Sequence, residues 1–435
     1  MALSAPERQI CDRIAAGECE LVELAAALIG FDTVTRDGAW SPRQERPLQQ
    51  FLADRLAAAG AEIDLWEPGP EELCCPRQVP ADLRFDDYPQ LLARFGGRGP
   101  GRTLLLNGHI DVVSGEPRAA WTSDPFRAEV RDGQLFGRGA CDMKGGVAAM
   151  VYAAEALARA GVDLGGDLLV NTVTDEESTS AGGVATVGHG IRADACVVCE
   201  PTGLTVGIAC RGSMLPVITV SGRAGHAAAV QPAWVDGGAV SAAEKAGLVL
   251  EAVAALRDRW RLTTADHALL PPANVVVTTI AGGQWPVSYA DSCQIGCHIS
   301  YLPRQADSAG YGSLVEREFA AWISDYVSAD PWSASHPPTI TWGSDAPPAE
   351  VGPGEPVVSA LAAAAVDVGG GGRVVGADFW HDGATLTNSA GIPAVAYGPG
   401  AVANAHSVDE HVPVAELVTA AQTLAVAAMR FCGVA

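Results

Sequence analysis

Thr103-Leu104-Leu105-Leu106-Asn107-Gly108-His109-Ile110-Asp111 is the stretch on which the fold turns, because a short apolar run stops abruptly in a glycine, an imidazole and a carboxylate. The same pattern recurs where Leu168 to Thr174 runs into Asp175-Glu176-Glu177, and where Ala195 to Cys199 runs into Glu200. Short Val/Leu-rich runs bounded by glycine, asparagine and charge have the pattern of buried parallel strands. In open α/β sheets the ligand crevice lies at the carboxyl ends of such strands. The expected fold class is therefore α/β, with polar residues far apart in sequence converging at one edge of the sheet.

His109, Asp142, Glu176, Glu177, Glu200 and His406 are the groups that would converge. Neutral imidazole and carboxylate oxygen together suit zinc, with cobalt or manganese as substitutes, and require no thiolate. Two cations repel one another, and a carboxylate can bridge ions about 3.5–4 Å apart. Asp142 is the candidate bridge. It sits in Gly137-Arg138-Gly139-Ala140-Cys141-Asp142-Met143-Lys144-Gly145-Gly146, whose glycines permit a tight turn before an apolar helix from Val147 to Arg159. Each residue alone has a plainer explanation, as a satisfied core histidine, a solvated acidic loop or a helix cap. What these explanations leave uncovered is the whole ordered set.

With these motifs in order, the chain resembles the zinc metallohydrolase family of acetylornithine deacetylase, succinyl-diaminopimelate desuccinylase and carboxypeptidase G (metallopeptidase family M20), from about Leu21 to Pro413. The resemblance implies a metallo-exopeptidase-like catalytic domain, a mostly parallel sheet flanked by helices, with an inserted α+β lid and dimerisation domain. It implies that His109, Asp142 and Glu200 hold one zinc and that Glu177, Asp142 and His406 hold the other. Asp111 would orient His109 through its second ring nitrogen. The implied reaction is hydrolysis of an amide C–N bond by a metal-activated water, with Glu176 as general base. Successive glutamates can take two roles only if the backbone turns between them. Gly398-Pro399-Gly400 ahead of Ala405-His406-Ser407-Val408-Asp409-Glu410 matches the family loop that presents the last ligand; Asp409 and Glu410 would lie behind the ligands or be loop charges. His226, after Gly222-Arg223-Ala224-Gly225, matches a family histidine that reaches the partner subunit's active site, so the resemblance implies a homodimer through the lid.

Residues 1–211 and 346–435 are expected to form the catalytic domain and 212–345 the lid. The lid pattern is βαββαβ: a strand ending at Gly222–His226, a helix from Gly237 to Trp260, strands Asn274 to Ile280 and Cys293 to Tyr301, a helix from Ser313 to Val327, and a strand around Thr339 to Trp342.

Two departures bear on the substrate. Where many relatives carry D-x-R-x-x-P, this chain reads His298-Ile299-Ser300-Tyr301-Leu302-Pro303, and where desuccinylases carry S-D-G-R it reads His381-Asp382-Gly383-Ala384. A guanidinium is the usual bidentate partner of a carboxylate, and neither serine nor alanine replaces it. Arg211, Arg223, Arg304 and Arg373 are the cations that could substitute. Arg211, Asn274, Ser300 and His381 are the candidate substrate contacts, with Trp285, Tyr289, Phe379 and Trp380 available to stack on a flat ring. The expected substrate is a small N-acylated amino acid or related compound. The alternatives are a dipeptide or peptide C-terminus, a small aromatic or heteroaromatic amide or amine cleaved in the manner of a deformylase or aminohydrolase, and a non-catalytic relative that only binds.

Acidic residues outnumber basic ones 51 to 28 over 435 residues, for a net charge of −23, which disfavours nucleic acid and anionic membrane surfaces as partners. Met1 to Gly30 has the pattern of an amphipathic helix, interrupted by charge, rather than of a signal peptide. The Ala-rich stretches from Ser359 and from Pro413 are short or broken by charge, so no membrane span is expected. Eleven cysteines without framework spacing point to reduced thiols and a cytoplasmic location. Cys196 and Cys199 on an expected strand, like Cys293 and Cys297, are expected to be core thiols.

Overall fold

The apolar runs become the middle of a nine-stranded sheet. The computed structural model describes residues 2–35 and 43–435. The strands of this sheet are β1 (Glu62–Trp66), β2 (Gln90–Phe95), β3 (Leu104–His109), β4 (Leu168–Val173), β5 (Ala195–Val198), β6 (Val206–Cys210), β7 (Ala349–Glu350), β8 (Val374–Ala377) and β9 (Ala394–Ala396). Their order is β1-β2-β4-β3-β5-β9-β6-β7, with β8 beside β6. The ladders β4–β3, β3–β5 and β5–β9 are parallel, whereas β1–β2, β2–β4 and β9–β6 are antiparallel. The sheet is thus mixed, with parallel ladders at its centre. There β3, β4 and β5 are buried along their whole lengths, which explains why they alternate so little. Asn107 and Asn171 face each other across β3 and β4, Nδ2 to Oδ1 at 2.8 Å, and help fix this register inside an apolar layer.

Helix Lys144–Arg159 packs on this sheet and against helix Val414–Cys432. The latter is longer and less broken by charge than the sequence suggested, and by length and composition alone it could cross a membrane. It is instead largely buried within the protein, 72% of its most apolar 18-residue window. The N-terminal amphipathic stretch is two helices, Ala5–Ala16 and Glu18–Ile29, rather than one. The break falls at Gly17, where a Cβ would lie 1.9 Å from the Tyr152 hydroxyl, so the close approach of helix Lys144–Arg159 demands glycine. All eleven cysteines are free thiols.

The chain divides into two units, one of Met1–Ala209, Glu350–Ala377 and His381–Ala435, the other of Cys210–Ala349 with Asp378–Trp380. The second unit is built on a six-stranded sheet containing Val217–Ser221, Asn274–Gly282, Ser292–Tyr301 and Thr339–Thr341, with helices Ala242–Thr263 and Ser313–Val327. Val249, Val253, Leu256 and Trp260 from the first helix and Phe319 and Ile323 from the second form one core with Ile218, Val220, Ile295 and Ile299 of the sheet. The first helix starts at Ala242 rather than Gly237. Gly237 is left-handed at φ 92°, and Ser241 supplies the N-cap by accepting from the Glu244 N–H at 3.4 Å.

Candidate metal centre

Parallel pairing of β3 with β4 and β5 carries His109, the Glu176–Glu177 segment and Glu200 to one end of the sheet. The turn before helix Lys144–Arg159 brings Asp142 to the same place. Its position depends on Gly146, where a Cβ would lie 1.9 Å from the Cys199 carbonyl oxygen, so the helix start can press directly against the end of β5.

Asp142 lies between the two histidines. Its Oδ1 is 3.1 Å from His109 Nε2 and its Oδ2 is 3.4 Å from His406 Nε2. His109 Nε2 is also 3.9 Å from a Glu200 oxygen and 3.9 Å from Glu176 Oε2, and His406 Nε2 is 3.1 Å from Glu177 Oε2. Ligand atoms of His109, Asp142 and Glu177 all lie within 4.8 Å of one another. The groups named from the sequence as His109, Asp142, Glu176, Glu177, Glu200 and His406 therefore form one cluster, with His406 on its more exposed side.

The Glu176–Glu177 pair does turn, as two roles require. Residues Glu176–Thr179 form a single helical turn between left-handed Asp175 (φ 65°) and Ser180 (φ 56°). Asp111 accepts the Glu176 and Glu177 backbone N–H groups at its two carboxylate oxygens, 3.2 and 3.1 Å away. His109 Nδ1 makes its closer contact with the Asp111 backbone oxygen at 3.0 Å, while the carboxylate is 3.7 Å off. Asp111 thus orients the imidazole through its main chain and spends its side chain on the Glu176 turn, a division of labour that its two-residue spacing from His109 did not reveal.

The electrostatics are those of a site short of positive charge. Burial raises the proton affinity of Glu176, Glu200 and Glu177, and their neighbouring carboxylates add to it. Burial alone would depress His109, but Glu176, Asp142, Glu200 and Asp111 outweigh it and lift its pKa well above the ordinary value. Hydrogen bonds to Asp142 and Glu177 push His406 up to about 10. Burial would raise Asp142, yet the two imidazoles hold it below the usual carboxylate range. Four carboxylates around two imidazoles, all oxygen and nitrogen donors, fit one or two hard or borderline divalent cations.

The other candidates divide between the units. His381 lies in the first, buried, with burial pushing its pKa down to about 4. His226 lies exposed in the second, its Nδ1 accepting from the Ala228 N–H at 3.2 Å. Asn274 pairs with Ser300 across neighbouring strands, and Ser300 pairs with Ser213, whose hydroxyl is 2.9 Å from His298 Nε2. The alternation of Ser292–Tyr301 puts Ser300 and His298 opposite the core residues Cys293, Ile295, Cys297 and Ile299. Arg211 donates to the Pro272 and Asp378 carbonyls, Arg223 to those of Trp234 and Gly238, and Arg304 pairs with Asp266.

Residues 105–430 match the model of peptidase family M20/M25/M40, and the chain belongs to that family. It is a metal-dependent hydrolase. It is 28% identical over 421 residues to the N-formyl-4-amino-5-aminomethyl-2-methylpyrimidine deformylase of Bacillus subtilis, covering 92% of this chain and 91% of that one. It is 40% identical over 218 residues to the succinyl-diaminopimelate desuccinylase of Methylobacterium radiotolerans, covering 48% of this chain and 50% of that one. Human carnosine dipeptidase 1 has the same fold, with a TM-score of 0.77, 17% identity and 99% of each chain covered.

Proposed function

We propose that the protein hydrolyses the amide of a small N-acylated amine without an α-carboxylate, with a short acyl group such as formyl carried on a flat nitrogen heterocycle. The observation that carries this is the face formed by Asn274, Ser300, Ser213 and His298: it offers neutral hydrogen-bonding groups where many relatives place an arginine. Burial, with Arg211 nearby, holds His298 in its neutral form by lowering its pKa. Arg211, Arg223 and Arg304 are already engaged with carbonyls or a carboxylate. The near full-length similarity to a pyrimidine deformylase supports the same choice over the N-acylated amino acid expected first.

In this proposal His109, Asp142 and Glu200 would hold one divalent cation and Glu177, Asp142 and His406 a second, with zinc the metal that the imidazole and carboxylate set would suit best. Such ions supply Lewis acidity toward a carbonyl and lower the pKa of water toward neutrality. Glu176 takes the proton of the attacking water at its carboxylate and returns it to the amine nitrogen as the C–N bond breaks, giving a carboxylic acid and an amine. Its burial, which raises its proton affinity, suits both transfers. Asp111 holds the Glu176 turn in place.

Hydrolysis of matched amides by the zinc- or cobalt-loaded protein tests the substrate class. N-formyl aminomethylpyrimidine should be cleaved with kcat/KM at least tenfold above N-formyl, N-acetyl and N-succinyl amino acids. The reverse preference would mean that Arg211 or another cation binds a carboxylate and that the substrate is an N-acylated amino acid.

The second unit also supports a homodimer. Among the described residues, strand Asn274–Gly282 pairs with Ser292–Tyr301 alone and exposes Val276 and Ile280, and an unpaired strand edge is a template for a second copy. A mass in solution near the 44.7 kDa of one chain would remove this part.

A further inference from the structure

Four residues beyond His406, Glu410 reaches back into the cluster. It is wholly buried, unlike a solvated loop charge. Its Oε1 accepts the backbone N–H groups of Cys141 and Asp142, at 2.9 and 3.0 Å, and its Oε2 accepts from Arg138 Nη1 at 2.5 Å. Its own carbonyl accepts the Gly137 N–H at 2.9 Å. Both ends of the turn that carries Asp142 are therefore gripped by one residue.

Arg138 is equally buried and is fixed from behind. Its Nε and Nη2 donate to the Ser114 carbonyl at 3.2 and 2.9 Å, and its guanidinium lies over the Trp121 ring, 5.0 Å from the centroid. Between His406 and Glu410 the chain holds two non-glycine residues in the left-handed region, His406 at φ 58° and Asp409 at φ 56°, a conformation that persists only where the surroundings impose it. Asp409 Oδ1 accepts from the Thr122 N–H and hydroxyl, pinning the same loop from outside. A buried ion pair is weak evidence for stability, because desolvation offsets most of the attraction. Orientation is the role that this geometry does explain.

We propose that Glu410, with Arg138 as its counter-ion, is the positioning residue of the metal centre, locking the Asp142 backbone to the loop that presents His406 so that the two oxygens of Asp142 face both imidazoles at once. The proposal rests on the ligand assignment above.

The test uses full-length Glu410→Gln, Arg138→Lys and, as a control on the assignment, Asp142→Asn, each stripped of metal and titrated with cobalt. Cobalt affinity, the visible absorption of the bound ion, the melting temperature of the metal-free protein, kcat and KM are read for each. Glu410→Gln should bind cobalt about 10–100-fold more weakly, the usual effect of removing a group that orients a ligand. Its absorption should change, its kcat should fall with little change in KM, and its metal-free melting should match wild type. Arg138→Lys, which cannot span both partners in fork geometry, should show a smaller loss in the same direction. If Glu410→Gln does not fold, Arg138→Lys decides alone: weaker cobalt at unchanged metal-free stability supports the proposal. Wild-type affinity in the folded variants while Asp142→Asn loses cobalt would overturn it, as would affinity lost only in step with metal-free stability. Wild-type cobalt binding by Asp142→Asn would instead remove the ligand assignment itself.

Discussion

Asp142 turns one carboxylate oxygen to each histidine of the cluster, Oδ1 to His109 at 3.1 Å and Oδ2 to His406 at 3.4 Å. No other residue described near both imidazoles divides its two oxygens in this way. Replacing Asp142 by alanine should therefore remove metal from both positions. Metal content should drop to a fraction of wild type and kcat/KM by more than about 100-fold, beyond the range for groups that merely orient ligands. Elemental analysis of dialysed protein beside a rate measurement checks this, and a variant that keeps two ions per chain would contradict it.

Asp111 accepts two backbone N–H groups from inside the fold. Asp111→Ala leaves both donors without a partner at a buried position, which costs about 1–3 kcal/mol for each unsatisfied group. Asp111→Asn keeps one accepting oxygen and should retain part of that stability, yet it should still lose roughly 10–100-fold in rate as the Glu176 turn relaxes. Denaturant unfolding separates the two variants. Equal stability in both would mean that the carboxylate does not hold the turn.

His381 gives a pH signature independent of metal. Burial holds its folded pKa at about 4 against an ordinary value of 6.5. The folded state thus binds fewer protons than the unfolded chain between those values, so stability is present above pH 6.5 and is lost as pH falls toward 4. The depression corresponds to on the order of 3 kcal/mol. In metal-free protein, His381→Gln should lose less stability than wild type between pH 7 and pH 4.5. Parallel pH profiles would show that His381 titrates normally.

Gly146 sets helix preference against space. Alanine is favoured over glycine within a helix by about 1 kcal/mol. Its Cβ would stand 1.9 Å from the Cys199 carbonyl oxygen, and overpacking of this kind costs typically 1–3 kcal/mol. The backbone oxygen cannot swing aside as a side chain would, so the clash should win. Gly146→Ala is expected to melt lower and to bind metal more weakly, because the helix start that follows Asp142 must move off the end of β5. A variant as stable as wild type would mean that the helix and strand can separate without loss.

How far the sequence revealed this architecture depended on the kind of signal. Strand ends at His109, Glu176 and Glu200 were legible because a two-sided buried strand is a short apolar run that stops at charge. The helices of the second unit were legible because their apolar stripes are regular, Val249, Val253, Leu256 and Trp260 in one and Val315, Phe319 and Ile323 in the other. The need for glycine at the Gly17 split was not, because the group that approaches it is Tyr152, 135 positions away in the chain. The two uses of Asp111 escaped for a similar reason, since spacing from His109 says nothing about which backbone amides arrive from β4. Glu410 had the composition of a loop charge, and only its partners Arg138, Cys141 and Asp142 mark it as buried.

The most direct measurement is turnover and metal content in the same preparation of Glu176→Gln. Glutamine keeps the size of the side chain but not a carboxylate that can take a proton from water. If Glu176 carries that proton while the other residues hold the ions, the variant should contain as much metal as wild type and hydrolyse amides about 10²–10⁴-fold more slowly. Turnover within a few-fold of wild type at full metal content would contradict the account, because the base would then be some other group.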